Sequence, residues 1–178
     1  MPLLGKAVLA VWNNVDPAQE RAFNDWYLRQ HVIERVEAPG FLRGRRYRAV
    51  DGSPRYFAFY ETQDAAVLRA PEYTRLLENP TDWTRQIMPH FRDTQRSICE
   101  TVASLGRGMG AAATAVHLRP RPGREAALRA HVVGDILPKL MAMPEIVAAH
   151  LWASPDDGVA RANAEIALRG APDKPVDW

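Results

Sequence analysis

Apolar residues recur along the chain with two periods, one suited to strands and one to helices. Residues 6–11 read as an apolar run with β-branched members, followed by Trp12, Asn13 and Asn14, and their length predicts a buried strand. "VDPAQE" then opens a helix: Asp16 can cap it, Pro17 suits its first position, and Gln19 completes a capping-box spacing. The helical period carries on to residue 36, with Phe23, Trp26, Tyr27 and Val32 near one face. His31, four residues after Tyr27, extends or borders that face. Ala38-Pro39-Gly40 stops the helix. Residues 41–50 and 56–62 predict two strands joined by the turn Asp51-Gly52-Ser53-Pro54. Asp64 caps a short helix to residue 69, and Pro71 and Pro80 are expected to leave irregular chain after it. "TDWTRQIM" predicts a turn or two of helix, and residues 94–102 a fourth strand.

The order β-α-β-β-α-β is the ferredoxin-like pattern, and the chain begins it a second time. With a shift of 105 residues, "AVLAVWNNVDPAQERAFNDWY" lies on "AATAVHLRPRPGREAALRAHV" without a gap. Ala10/Ala115, Pro17/Pro122, Glu20/Glu125 and Pro39/Pro144 are identical, and Phe23/Leu128, Val32/Leu137 and Tyr47/Trp152 stay apolar. The matches fall where strand, cap, helix face and helix stop require them, the signature of an internal repeat. Residues 1–104 are the first unit, 105–110 a linker ("SLGRGMG" supplies it), and 111–178 a second, partial unit. The two halves are expected to superpose as β-α-β units.

Composition narrows the function classes. The chain has 178 residues, 47% hydrophobic and 25% charged, enough for one domain or two small halves sharing a core. A net charge of +2 with interspersed signs and no Lys/Arg run argues against nucleic-acid binding. A single cysteine, Cys99, excludes an intrachain disulfide and any multi-thiolate metal site. The N-terminal apolar run is too short for a signal peptide, and no stretch reaches the ~18 apolar residues of a membrane span, so the expectation is a soluble cytoplasmic protein. Histidines 31, 90, 117, 131 and 150 show no close pair at ligand spacing, and "GRGMG" opens no βα unit, so neither a metal nor a dinucleotide cofactor is expected.

"FNDWYLRQHVIERVEAPGFLRGRRY", "PRYFAFYE" and "DWTRQIMPHFRDTQRS" together resemble the dimeric α/β-barrel superfamily, in particular its EthD-like branch and that branch's tandem members. The resemblance covers residues 6–104, and 111–153 through the repeat; its most specific piece is W-Y-x-x-x-H, then P-G-F, then R-R-Y. It implies an α+β fold in which tandem ferredoxin-like repeats form a dimeric α/β-barrel pseudo-dimer, the second repeat incomplete, around a central pocket. The superfamily includes lactone isomerases, polyketide cyclases, cofactor-free monooxygenases and heme enzymes, so fold alone does not choose a reaction. In its methylmuconolactone isomerase branch a histidine at the end of the first helix and a tyrosine on the next strand transfer protons, and His31 and Tyr47 match those positions approximately.

His31 and Tyr47 are therefore the candidate catalytic pair, since an imidazole can take or give a proton near neutral pH. The plainer reading of His31 is a hydrogen-bonded structural histidine. Arg45 and Arg46 are adjacent on a strand and must point to opposite faces; either can hold a carboxylate or enolate oxygen, or pair at the surface. Trp12, Tyr27, Tyr60 and Trp83 supply aromatic mass for a core or for a flat ligand, and His90 is a loop or pocket residue. The pocket is expected in the first unit, between the sheet and residues 83–90, because the second copy has Ile136 and Ala148 in place of His31 and Arg43. The resulting expectation is a cofactor-independent lyase, isomerase or cyclase acting by proton transfer on a small aromatic or polyketide-like molecule, with a homodimer compatible. The alternatives are a non-catalytic ligand-binding or stress-related barrel, and a heme-dependent or cofactor-free monooxygenase.

Overall fold

The computed structural model describes residues 3–154, 163–171, 174, 176 and 178. Strand β1 (Ala7–Val15) runs past the apolar stretch, because Trp12 to Val15 still find partners across the sheet. A 3-10 turn (Pro17–Gln19) leads into α1 (Glu20–Trp26). Asp16 makes no side-chain cap; its carboxylate instead lies 3.4 Å from Arg92. A π turn (Tyr27–His31) joins α1 to α2 (Val32–Val36). Strands β2 (Phe41–Arg48) and β3 (Tyr56–Thr62) form the expected hairpin. Pro71 does not break the next segment: it occupies the start of α3 (Pro71–Glu78), where a missing N–H costs nothing. Then come α4 (Asp82–Ile87), capped by the Thr81 hydroxyl, and the long strand β4 (Phe91–Gly106). Gly106 ends β4 with φ +84°, and an added Cβ would lie 2.3 Å from the Val147 carbonyl oxygen.

In the second half, α5 (Glu125–His131), a π turn (Val132–Ile136) and α6 (Leu137–Met141) repeat the first helix boundary for boundary at the 105-residue shift. The wide turn recurs in both copies: the Val32 amide donates to the Tyr27 carbonyl and the Leu137 amide to that of Val132. Strand β5 (Ala148–Ala153) follows, and a last helix, α7 (Ala164–Arg169), is capped by Asn163. The first strand expected of the second copy does not form. β1 is held between β3 and β4, and among the described residues no equivalent pair flanks 111–118; Leu118 exchanges backbone hydrogen bonds with Trp178 instead. The two halves therefore correspond in helix and second strand only.

All five strands join one antiparallel sheet, β2-β3-β1-β4-β5, a mixed α+β architecture. The expected linker is partly sheet: β4 reaches Gly106, its first part pairing with β1 and its end with β5, so one strand ties the halves together. One face packs under the helices, with Leu9, Tyr56, Tyr60 and Ile98 meeting Phe23, Trp26 and Tyr27. On the same face Ala149 and Leu151 meet Val132 and Leu137 in a smaller core. The opposite face carries Val8, Ala10, Trp12 and Phe59, with Tyr47, Phe57 and Trp152 around them. No helix among the described residues is long and apolar enough to cross a membrane.

Candidate functional site

The densest polar chemistry in the core surrounds His31. Five residues along an α-helix lie about 140° apart, yet Trp26 and His31 stack at 4.2 Å. The π turn between them makes this possible, since its i→i+5 bond sets residues five apart over one another. Trp26 is itself fixed by its indole N–H, which donates to the Thr84 hydroxyl on α4 at 3.2 Å. Tyr27 meets the imidazole edge-on at 5.0 Å, and Tyr60, from β3, lies 6.4 Å from it. Arg46 enters from β2 and lays its guanidinium over Tyr56 and Tyr27 at 4.2 and 4.3 Å. Gly44, opposite Tyr60, leaves the tyrosine room beneath Val32. Arg35, one turn beyond His31, is ion-paired with Glu165 of α7, and both are buried.

Among the described residues several polar atoms in this cluster are buried without a hydrogen-bond partner, His31 Nδ1, Arg46 Nε and Nη2, and Arg35 Nη1, while the Tyr60 hydroxyl interacts with that of Tyr27. So many orphans at one place in a folded core call for an explanation, because each carries a desolvation cost. Burial holds the His31 pKa well below the ordinary imidazole value, and the cations Arg35, Arg169 and Arg46 push the same way, so the ring is neutral at physiological pH. Burial raises the phenols of Tyr60, with Tyr27 adding, and of Tyr27, with Arg46 opposing; both stay protonated donors. Burial lowers Arg46, with the phenols of Tyr27 and Tyr56 opposing. Burial also disfavours the Arg35 cation, but Glu165, Tyr73 and Tyr60 outweigh it and hold it charged.

The residues singled out from the sequence divide into two groups. His31, Tyr27, Tyr60 and Arg46 come together under α1 and α2. Tyr47, Arg45 and Trp12 lie on the opposite face: Tyr47 stacks on Phe57 and Phe59, Arg45 sits 5.7 Å over Phe59, and Trp12 stacks on Phe57 at 4.6 Å. The expected catalytic pair His31–Tyr47 is thus divided by the sheet, because strand parity puts Arg46 under the helix and Tyr47 away from it. Trp83 packs on the main core from α4, and His90 is half-exposed, 3.9 Å from Asp16; neither reaches His31. A groove of about 640 Å³ does lie in the first unit, but not between the sheet and residues 83–90. It is an open surface groove between the outer side of α2 and α3, lined by Arg29, Ile33, Glu34, Glu37, Glu72 and Arg75 among others.

Arg35 and Glu165 escaped sequence reasoning, and the helical period places Trp26 on the buried helix face but not against His31. Arg35 was findable, being four residues after His31 and so on its face. Trp26 needed the π turn, and Glu165 lies 130 residues from its partner with no local signal. Among the described residues no three His, Cys, Asp or Glu side chains converge as metal ligands. The Cys99 thiol, on the far face, is pushed up to about 12 by burial and is no ready nucleophile. Comparison with family models, curated proteins and solved structures gives no match.

Proposed function

We propose that this chain is a cofactor-independent enzyme of small aromatic or polyketide-like molecules, a lyase, isomerase or cyclase that works by proton transfer at His31. The carrying observation is a buried, neutral imidazole with an unpartnered Nδ1, set beside the Tyr60 hydroxyl and an Arg46 guanidinium whose Nε and Nη2 are unpartnered among the described residues. A neutral imidazole can accept a proton from carbon next to a carbonyl, and Tyr60 and Arg46 can hold the enolate oxygen that forms. Tyr60 and Arg46 take the role first assigned to Tyr47. Flat aromatic walls from Trp26 and Tyr27 suit a planar ligand. A bound anion would offset the surrounding cations and raise the basicity of His31.

The fold reading that accompanies this function is a ferredoxin-like first unit followed by a partial second one. The barrel expected as a pseudo-dimer of tandem repeats would, with the described strands in a single sheet, be closed over the aromatic face bearing Trp12, Tyr47, Phe57 and Phe59 by a second copy of the chain. The second functional reading, a non-catalytic binder, is favoured by the depth at which His31 lies, 7% exposed, with its basicity suppressed.

The two readings separate by deuterium exchange. Wild type is incubated in D2O with a panel of aromatic and polyketide-like ketones and followed by NMR. Exchange of carbon-bound hydrogen α to the carbonyl is expected for at least one, slowed ~10²–10⁴-fold in His31→Gln. Full-rate exchange by a folded His31→Gln protein removes the catalytic role; binding without exchange by wild type leaves the binder.

A further inference from the structure

The ion pair between α7 and α2 carries an inference about the ligand itself, resting on the reading of the His31 cluster as the ligand site. Glu165 reaches the core from a six-residue helix and is 5% exposed; Arg35 is 2% exposed. Arg35 and Arg46 both act on His31, and the carboxylates acting on Arg35 are Glu165 and the half-buried Glu34 on the rim of the groove. Arg46 stands over aromatic rings without an anion, and one Arg35 nitrogen, Nη1, stays unpartnered even with Glu165 in place. Arg35 lies 5.7 Å over the ring of Tyr73, whose hydroxyl accepts from Arg96. A buried cationic, aromatic-walled site with spare donors suits a planar carboxylate, because two-pronged arginine contacts match its geometry and a desolvated cation requires an anion.

We infer that Glu165 is an internal plug: its carboxylate occupies the Arg35 end of the His31 site in place of an aromatic carboxylate ligand, which enters by displacing α7. The geometry gives α7 a light hold for that role. It is short, its hydrophobic anchor Leu168 is only partly buried, and its Gly170 end turns away in the left-handed conformation.

The test compares wild type with Glu165→Gln by calorimetric titration with benzoate and with neutral benzamide. The amide side chain keeps the shape and one hydrogen bond to Arg35 but removes the competing charge. If the carboxylate blocks the site in about 90–99% of molecules, its loss tightens benzoate binding about 10–100-fold. Benzamide, which cannot form the ion pair with Arg35, should gain less than benzoate. In wild type, saturating benzoate should also speed amide hydrogen exchange across residues 164–169. If benzamide binds both proteins while benzoate gains nothing in Glu165→Gln, the plug is refuted and the ligand site stands. If neither probe binds either protein, the ligand site falls and the plug with it. Should Glu165→Gln not fold, the exchange experiment on wild type decides: unchanged α7 exchange with benzoate bound overturns the inference.

Discussion

At the scale of the residue, His31 shows how much a side chain's chemistry depends on what surrounds it. Its position four residues after Tyr27 marks it for the buried face, but the neutral state comes from burial and from three arginines that reach it from α2, β2 and α7. That state has a consequence for stability. With its pKa depressed in the folded protein, His31 binds fewer protons there than in the unfolded chain. Stability is therefore full above the unfolded value near 6.5 and falls as pH drops below it, by ~1.4 kcal/mol per pH unit while only the unfolded form titrates. Urea melts at pH 7.5 and 5.5 should show this loss, and His31→Gln should reduce it. A residual slope is expected from His117 and His150, which burial also depresses. An undiminished slope in His31→Gln would mean that the ring is not buried neutral. Arg46 and Tyr47 illustrate a second point. Sequence shows that neighbours on a strand face opposite ways, but which of them faces the helix is set by the pairing of Arg46 with Ala58 and Tyr47 with Phe57.

At the scale of the element, the 105-residue offset expected from the sequence matches the helix boundaries of the two halves down to the π turns. The π turns themselves are not legible: Pro138 lies just beyond the second turn, but Ile33 holds that place in the first, so no shared residue type announces them. Gly44 is the element-level device that lets β2 pass close beneath α2. A Cβ there would come 3.0 Å from Tyr60 Cδ1 and 3.2 Å from Val32 Cγ1. Neither a buried ring nor a β-branched side chain yields easily, so Gly44→Ala is expected to cost ~1–3 kcal/mol by overpacking. Chemical denaturation measures it, and an unchanged midpoint would show that the helix rides higher over the strand. The lost first strand of the second copy makes the same argument from the other side. Its apolar pattern matches β1, but a strand needs neighbours, and among the described residues 111–118 has none to replace β3 and β4.

At the scale of the whole molecule, the sheet has two faces with different fates. Helices of both halves cover one; on the other Val8, Ala10, Trp12 and Phe59 are buried beneath Leu3, His117 and Val176, while Tyr47, Phe57 and Trp152 around them stay partly exposed and Phe59 and Trp152 meet at 5.2 Å across the intervening strands. The barrel reading proposes a second copy over this face. Wild type is then expected to sediment as a dimer, and Phe57→Glu, which places a charge between Trp12 and Tyr47, as a folded monomer. A monomeric wild type would refute the second copy as the cover. From its own patterns the sequence determined the first strand, the helix after it, the hairpin and the burial of Tyr27, Tyr60 and the neighbourhood of His31, because periodicity and turn chemistry are local. Only the tertiary structure decided that Tyr47 stands apart from His31, that one strand carries both halves, and that Glu165 closes on Arg35. Those outcomes depend on strand register and on contacts between residues far apart in the chain, which no local pattern encodes.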